Sequence, residues 1–87
     1  MDRPKRKENF KLEEVGGEIL LYHPETAKIL SCNETAKLIW QLCDGSRTED
    51  EIAGILREAF PEEGDAVADD VKETLKQFLD HGAVELA

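Results

Sequence analysis

Four side chains of this sequence have the chemistry to hold a metal or attack a substrate: Cys32, Cys43, His23 and His81. Zinc would take their thiolates and imidazoles in a tetrahedron, and such sites are marked in sequence by close pairs such as C-x-x-C or H-x-x-x-H. No such pair occurs. His23 stands in HPET, His81 in DHG, and the cysteines lie eleven positions apart. On one helix that spacing is about 16 Å, too far for a disulfide, so two small buried apolar groups is the reading their type supports. No serine or cysteine sits in a nucleophile motif, and Gly16-Gly17 lacks the strand, glycine loop and helix order that cradles phosphate. Catalytic residues, metal and cofactor are therefore not expected, and the function is sought in binding.

Binding residues are suggested by two stretches. AKILS, residues Ala27, Lys28, Ile29, Leu30 and Ser31, reads as a strand with little of the proline, bulge or inward charge that usually blunts a sheet edge. An extended peptide can add to such an edge, with main-chain hydrogen bonds giving affinity and nearby pockets giving specificity. Farther on, Val71, Lys72, Leu75, Lys76 and Leu79 follow helical spacing. Lys72 and Lys76 lie one turn apart, a basic spot that, with Lys28, would receive carboxylates of an acidic peptide while Leu75 and Leu79 take its apolar side chains. The alternative for these residues is ordinary: Lys76 paired with Asp80 or Glu73, and leucines wholly in the core.

Those stretches need elements to hold them. FKLEEV and EILLY flank Gly16-Gly17, a pair suited to the positive φ angles of a two-residue hairpin loop. HPET places Pro24 in a turn before AKILS, which completes a three-stranded antiparallel meander. Asn33 is placed to cap a first helix containing Ala36, Ile39, Trp40 and Cys43, and Asp44-Gly45 ends it. Thr48 and Glu51 form a T-x-x-E capping box for a second helix with Ile52, Ile55, Leu56 and Phe60 as its buried stripe, closed by Pro61 and Gly64. A third helix is predicted from Asp65 to His81, with Val67, Val71, Leu75, Phe78 and Leu79 on one face and Gly82 as its C-terminal cap. AVEL follows as a closing strand or an apolar tail folded back. The fold class is α+β: a three-stranded antiparallel sheet, then three helices in a winged helix-turn-helix-like order. Residues 10–87 form one domain, and residues 1–9, with Arg3, Lys5, Arg6, Lys7 and Pro4, read as a flexible basic arm.

The chain has 87 residues and 40% apolar content, enough for one small core and too little for a deep, layered active site. A formal net charge of -9 disfavours indiscriminate contact with phosphate backbones or anionic lipid. No apolar run approaches the length of a membrane span, and there is no secretory signal, so a cytoplasmic location is the default. The two short helices around DGSR do match the outline of a DNA reader. Yet TEDEIAGILREAF opens with three acids in four residues, and DAVADDVKETLKQFLDH opens with Asp65, Asp69 and Asp70, which a polyanion would repel. Besides a peptide-binding adapter, the residues leave open a regulator that uses the basic arm, a small subunit docked on an enzyme, and an obligate homodimer.

The stretches GGEILLYHPETAKIL, CNETAKLIWQLCDG, RTEDEIAGIL and FLDHGAVEL resemble the PqqD-like family, the coenzyme PQQ synthesis protein D family, from Gly16 to Leu86. The most specific part is the fixed order of aliphatic strand, Pro-Glu-Thr turn, Asn-Glu-Thr-Ala helix start, Ile-Trp pair and Asp-Gly stop. The resemblance implies a RiPP recognition element, a small non-enzymatic domain that binds the leader of a ribosomally made precursor peptide and presents it to a modifying enzyme, often a radical SAM enzyme. It implies that the leader adds to the third strand of the meander, Ala27 to Ser31, and lies against the third helix at Val71, Lys72, Leu75, Lys76 and Leu79. Charge and the lack of an apolar span leave neither nucleic acid nor membrane as an expected partner, a monomer or weak dimer is expected, and the pathway is PQQ biosynthesis or another peptide modification. Two positions depart from the family pattern: Cys32 stands where leucine is common before the capping asparagine, and Thr74 stands where an aromatic is common in the last helix.

Overall fold

A computed structural model describes residues 3–86. Its first element is a strand, β1 (Pro4–Arg6), followed by the meander β2 (Lys11–Val15), β3 (Glu18–His23) and β4 (Lys28–Cys32). Three helices come next, α1 (Glu34–Leu42), α2 (Glu49–Ala59) and α3 (Ala66–Asp80), with a single 3-10 turn at Pro61–Glu63 before α3 and a last strand, β5 (Val84–Leu86). The meander and the three helices are the α+β arrangement that the sequence predicts.

The hairpin β2·β3 closes on Gly16 and Gly17, at φ +59° and +84°, with Val15 opposite Glu18. Two consecutive positive φ angles make the loop twist match the strands it joins, which is why glycine stands at both. Strand alternation then sorts the sheet into faces. Leu12, Leu21 and Leu30 stand opposite one another across the three strands; Leu21 is fully buried and the other two pack against the core. Tyr22 and Ile29 are paired on the other face, where Ile29 is 64% exposed. The fourth strand begins one residue later than expected: Ala27 belongs to the turn, at φ +57°, and its N–H donates to the His23 carbonyl at 3.1 Å. The same turn is held by His23 Nδ1, which accepts from the N–H groups of Glu25 and Thr26 at 3.1 and 3.2 Å.

The helix starts follow their caps. Asn33 accepts from Ala36 N–H at 2.7 Å, and the Thr48 and Glu51 capping box is closed in both directions. Ile39, Trp40 and Cys43 from the first helical segment, Ile52, Ala53 and Leu56 from α2, and Val67, Val71, Leu75 and Phe78 from α3 enclose one core with Leu21, Ala83 and Val84. Trp40 meets Phe78 edge to face at 5.7 Å, joining α1 to α3 through the two largest apolar side chains of the interior. Leu79, expected on the buried stripe, is 38% exposed, because Phe78 takes the inward position in the last turn.

Part of the segment read as a mobile arm has a fixed place. Pro4–Arg6 pairs antiparallel with Val84–Leu86 as a two-stranded ribbon, and Pro4 is buried. On its other side the same strand meets the α1–α2 connection, through Arg6 N–H to the Cys43 carbonyl at 2.8 Å and Gly45 N–H to the Pro4 carbonyl at 2.9 Å. Gly45 sits at φ +83°, with the Lys5 side chain against the place a Cβ would occupy. The physical reason for the difference is that both edges of this short strand find main-chain partners far away in sequence, which no local pattern reveals. Met1 and Asp2 lie outside the described residues.

Candidate functional site

The closing strand could have paired with either of two edges, and its choice creates the site. β5 takes β1, while the meander keeps the order β2-β3-β4, so among the described residues no strand pairs with the outer edge of β4. That edge presents the unmatched main-chain donors and acceptors of Lys28–Cys32.

Beside the edge lies α3, separated from it by a cleft. At one end a depression of about 300 Å³ is lined by Ser31 and Asn33 on one side and by Asp70, Glu73, Thr74 and Gln77 on the other. Toward the C-terminal end of α3 a separate depression of about 260 Å³, bordered also by Asn9 and Phe10, brings Lys28, Thr26 and His23 to His81, Gly82 and Lys7. Thus β4 and α3 run in opposite directions along the two walls, Lys28 near the C-terminal end of α3 and Ser31 near its middle. Residues 70, 73, 74, 77 and 81 recur at the spacing of one helix face, and this face turns to the strand.

The expected site residues divide accordingly. Lys28, Ile29, Leu30 and Ser31 lie on the open edge; Ile29 projects to solvent and Leu30 toward the core. Ala27 is in the turn that precedes the edge. On α3, Val71 and Leu75 are core residues, 0% and 3% exposed. Lys72, Lys76 and Leu79 are placed with Glu49, Asp69 and Asp80 around a different depression, on the flank of α3 that faces α2, and Glu73 borders both depressions. The structure therefore does not bring Lys72, Lys76 or Leu79 to the β4 cleft; it brings Asp70, Glu73, Thr74, Gln77 and His81 instead. One signal in the sequence pointed to that flank: Thr74 is the position at which the third helix departs from the family pattern, and it lines the cleft.

The electrostatics of the cleft are those of open surface groups. His81 is fixed by a hydrogen bond between Nδ1 and the Gln77 carbonyl at 2.9 Å. Lys7 is paired with Glu85 at 3.3 Å, whereas Lys28 has no ion pair among the described residues. Cys32, at the end of the edge strand, is half-buried and its thiol is pushed up from the usual range by desolvation. Cys43 is buried in the core, where desolvation, opposed by Arg6 and helped by Asp44, pushes its pKa up to about 12. Its thiol donates to the Ile39 carbonyl at 3.1 Å. Among the described residues no group of three histidine, cysteine or acidic side chains is placed to hold a metal ion, and no helix is long and apolar enough to cross a membrane.

Comparison with solved structures finds the same fold in TbiB1, described in complex with the TbiA(β) leader peptide: the TM-score is 0.73 at 17% identity, over 93% of this chain and 94% of that one. No curated protein sequence matches the chain. The family model for coenzyme PQQ synthesis protein D matches residues 18–84, from the start of β3 to the start of β5. With the last two strands of the meander, the capped helices and Trp40 inside that span, the chain belongs to the PqqD family.

Proposed function

We propose that this protein is a non-enzymatic adapter that captures the leader segment of a ribosomally made precursor peptide and presents it to a modifying enzyme. The leader adds as a strand to the outer edge of β4 and rests against the Asp70, Glu73, Thr74 and Gln77 face of α3. The observation that carries this reading is the unoccupied edge of β4 facing a cleft, in a chain whose own terminal strand is engaged elsewhere. Support comes from the PqqD family match and from the leader-peptide complex of TbiB1. The modifying enzyme is of the radical SAM class, the adapter works in the cytoplasm as a monomer or weak dimer, and neither nucleic acid nor membrane is its partner.

A DNA-reading role is not favoured. The first turn of α2 carries Glu49, Asp50 and Glu51, and Arg6 of the basic N-terminal run donates to main-chain oxygens at the end of α1. The test is a titration of the isotope-labelled chain with the leader of a precursor peptide encoded beside it. Amide shifts are expected to concentrate at residues 28–32 and at Asp70, Glu73, Thr74, Gln77 and His81. Shifts confined to the α2 flank of α3, or a salt-sensitive gel shift with duplex DNA in place of peptide binding, would overturn the proposal.

A further inference from the structure

The cleft between β4 and α3 differs in charge from one end to the other. Beside Ser31 and Asn33 it offers the carboxylates of Asp70 and Glu73, both exposed. Beside Lys28 it offers Lys28 itself and the imidazole of His81, while Lys7 there is already paired with Glu85. The partial charges of α3 at its C-terminal end are muted, because three of its last four carbonyls are taken: His81 N–H donates to Gln77, Gly82 N–H to Leu79 and Ala83 N–H to Phe78. At the other end, one N-terminal amide of α1 is capped by Asn33, which leaves the two carboxylates of α3 as the full charges of that lining. An extended guest lying along β4 therefore meets anions at one end and Lys28, which has no ion pair among the described residues, at the other.

Direction follows from the sheet. Both existing pairings of the meander are antiparallel, and antiparallel ladders are slightly the more stable per residue. A guest added antiparallel to β4 enters beside Ser31 and leaves beside Lys28, so its N-terminal part faces Asp70 and Glu73. Glu73 and His81 are eight positions apart on α3, about 12 Å along the helix axis, which an extended strand covers in about four residues. We infer that this cleft selects peptides in which a basic residue precedes an acidic one by about four positions, with Asp70 and Glu73 reading the base and Lys28, assisted by His81, reading the acid. The inference rests on the leader-capture reading and assigns its specificity.

The test is selection from a displayed library of random 12-residue peptides on three forms of the full chain. These are the wild type, a charge-reversed form carrying D70K, E73K and K28E, and a neutral form carrying D70N, E73Q and K28Q. Folding is checked by circular dichroism and attachment by amide shifts at residues 28–32. The wild type is expected to enrich base-first peptides about tenfold over their acid-first counterparts, the scale of two exposed ion pairs made in one order and replaced by repulsion in the other. The reversed form is expected to invert the preference and the neutral form to lose it; if the reversed form fails to fold, the neutral form decides alone. Peptides that attach at β4 with no charge order, with the acid first, or with an order that the neutral form retains would overturn this inference and leave the adapter reading intact. Failure of every form to enrich any peptide attached at β4 would overturn both.

Discussion

Arg6 and Trp40 are joined across 34 positions of sequence: the Arg6 guanidinium donates to the main-chain oxygen of Trp40 at 3.3 Å and to that of Gln41 at 2.6 Å. A cation at the C-terminal end of α1 adds a second donor to the Trp40 carbonyl, which the Cys43 N–H already caps, bonds the Gln41 carbonyl and meets the negative end of the helix dipole. The N-terminal strand is thereby fastened to the helix that carries the central tryptophan. Replacing Arg6 by alanine is expected to cost about 1 kcal/mol, read as a fall in melting temperature of about 4–8 °C. A chain shortened to begin at Glu8 should fall further, because it also loses β1 and uncovers Val84. An unchanged melting curve for the shortened chain would show that the segment is the loose arm its composition suggests.

Successive N–H groups of a strand point to opposite edges, so Ile29→Pro and Leu30→Pro remove donors on opposite sides of β4. One substitution should break a bond of the β3·β4 ladder and lower thermal stability. The other should leave the ladder and weaken leader binding by about tenfold or more, the scale of one lost hydrogen bond. Calorimetry and thermal melts on the pair decide it. Equal loss of leader affinity, with both variants folded, would count against strand addition.

The two flanks of α3 should respond differently. Thr74→Arg puts a long side chain into the cleft and is expected to weaken leader binding by about tenfold, whereas Lys72→Glu with Lys76→Glu, on the other flank, should leave it within about twofold. Titration calorimetry with one leader on both variants is the measurement. The reverse pattern would return the site to the lysine flank.

At the start of α2, the Thr48 hydroxyl accepts from Glu51 N–H at 3.2 Å while the Glu51 carboxylate accepts from Thr48 N–H at 2.9 Å. Thr48→Ala should cost about 1 kcal/mol, as loss of an N-cap commonly does. The bond from the Thr48 backbone, then that from its side chain, holds the Glu51 carboxyl below its ordinary 4.5. A depressed folded value means that the Glu51 contribution is complete above the ordinary value and is lost as pH falls through the folded one. Glu51→Gln should therefore flatten the acid side of the stability curve below about pH 4.5, seen in melts at stepped pH.

Both thiols are held protonated at mild alkaline pH by desolvation, Cys43 the more strongly. Iodoacetamide at pH 8 should modify half-exposed Cys32 slowly and leave Cys43 untouched until the chain unfolds, as followed by mass spectrometry. Rapid modification of Cys43 in the folded protein would contradict its place in the core.

The local signals in the chain were legible because their physics is local. The glycine pair of the hairpin, the Asn33 cap, the Thr48 and Glu51 box and the Gly45 stop each act within a few residues, and the structure repeats them. The stripe Val67, Val71, Leu75 and Phe78 was likewise legible as the buried face of α3, since apolar side chains at helical spacing must share one side.

Which flank of that stripe meets β4 was not. Residues 70, 74 and 77 border it on one side and residues 72, 76 and 79 on the other, and the helical period is the same for both. Leucine at position 79 and the two lysines made the second flank look like the binding wall. Only the packing of α3 on α1 and α2, through Phe78 against Trp40, sets the rotation of the helix about its axis and turns Asp70, Glu73, Thr74 and Gln77 to the cleft. The free edge has the same origin. The three-residue strand at each terminus carries no pairing code of its own, and burial of Pro4 and Val84 on one core directs the tail to β1 and leaves β4 open.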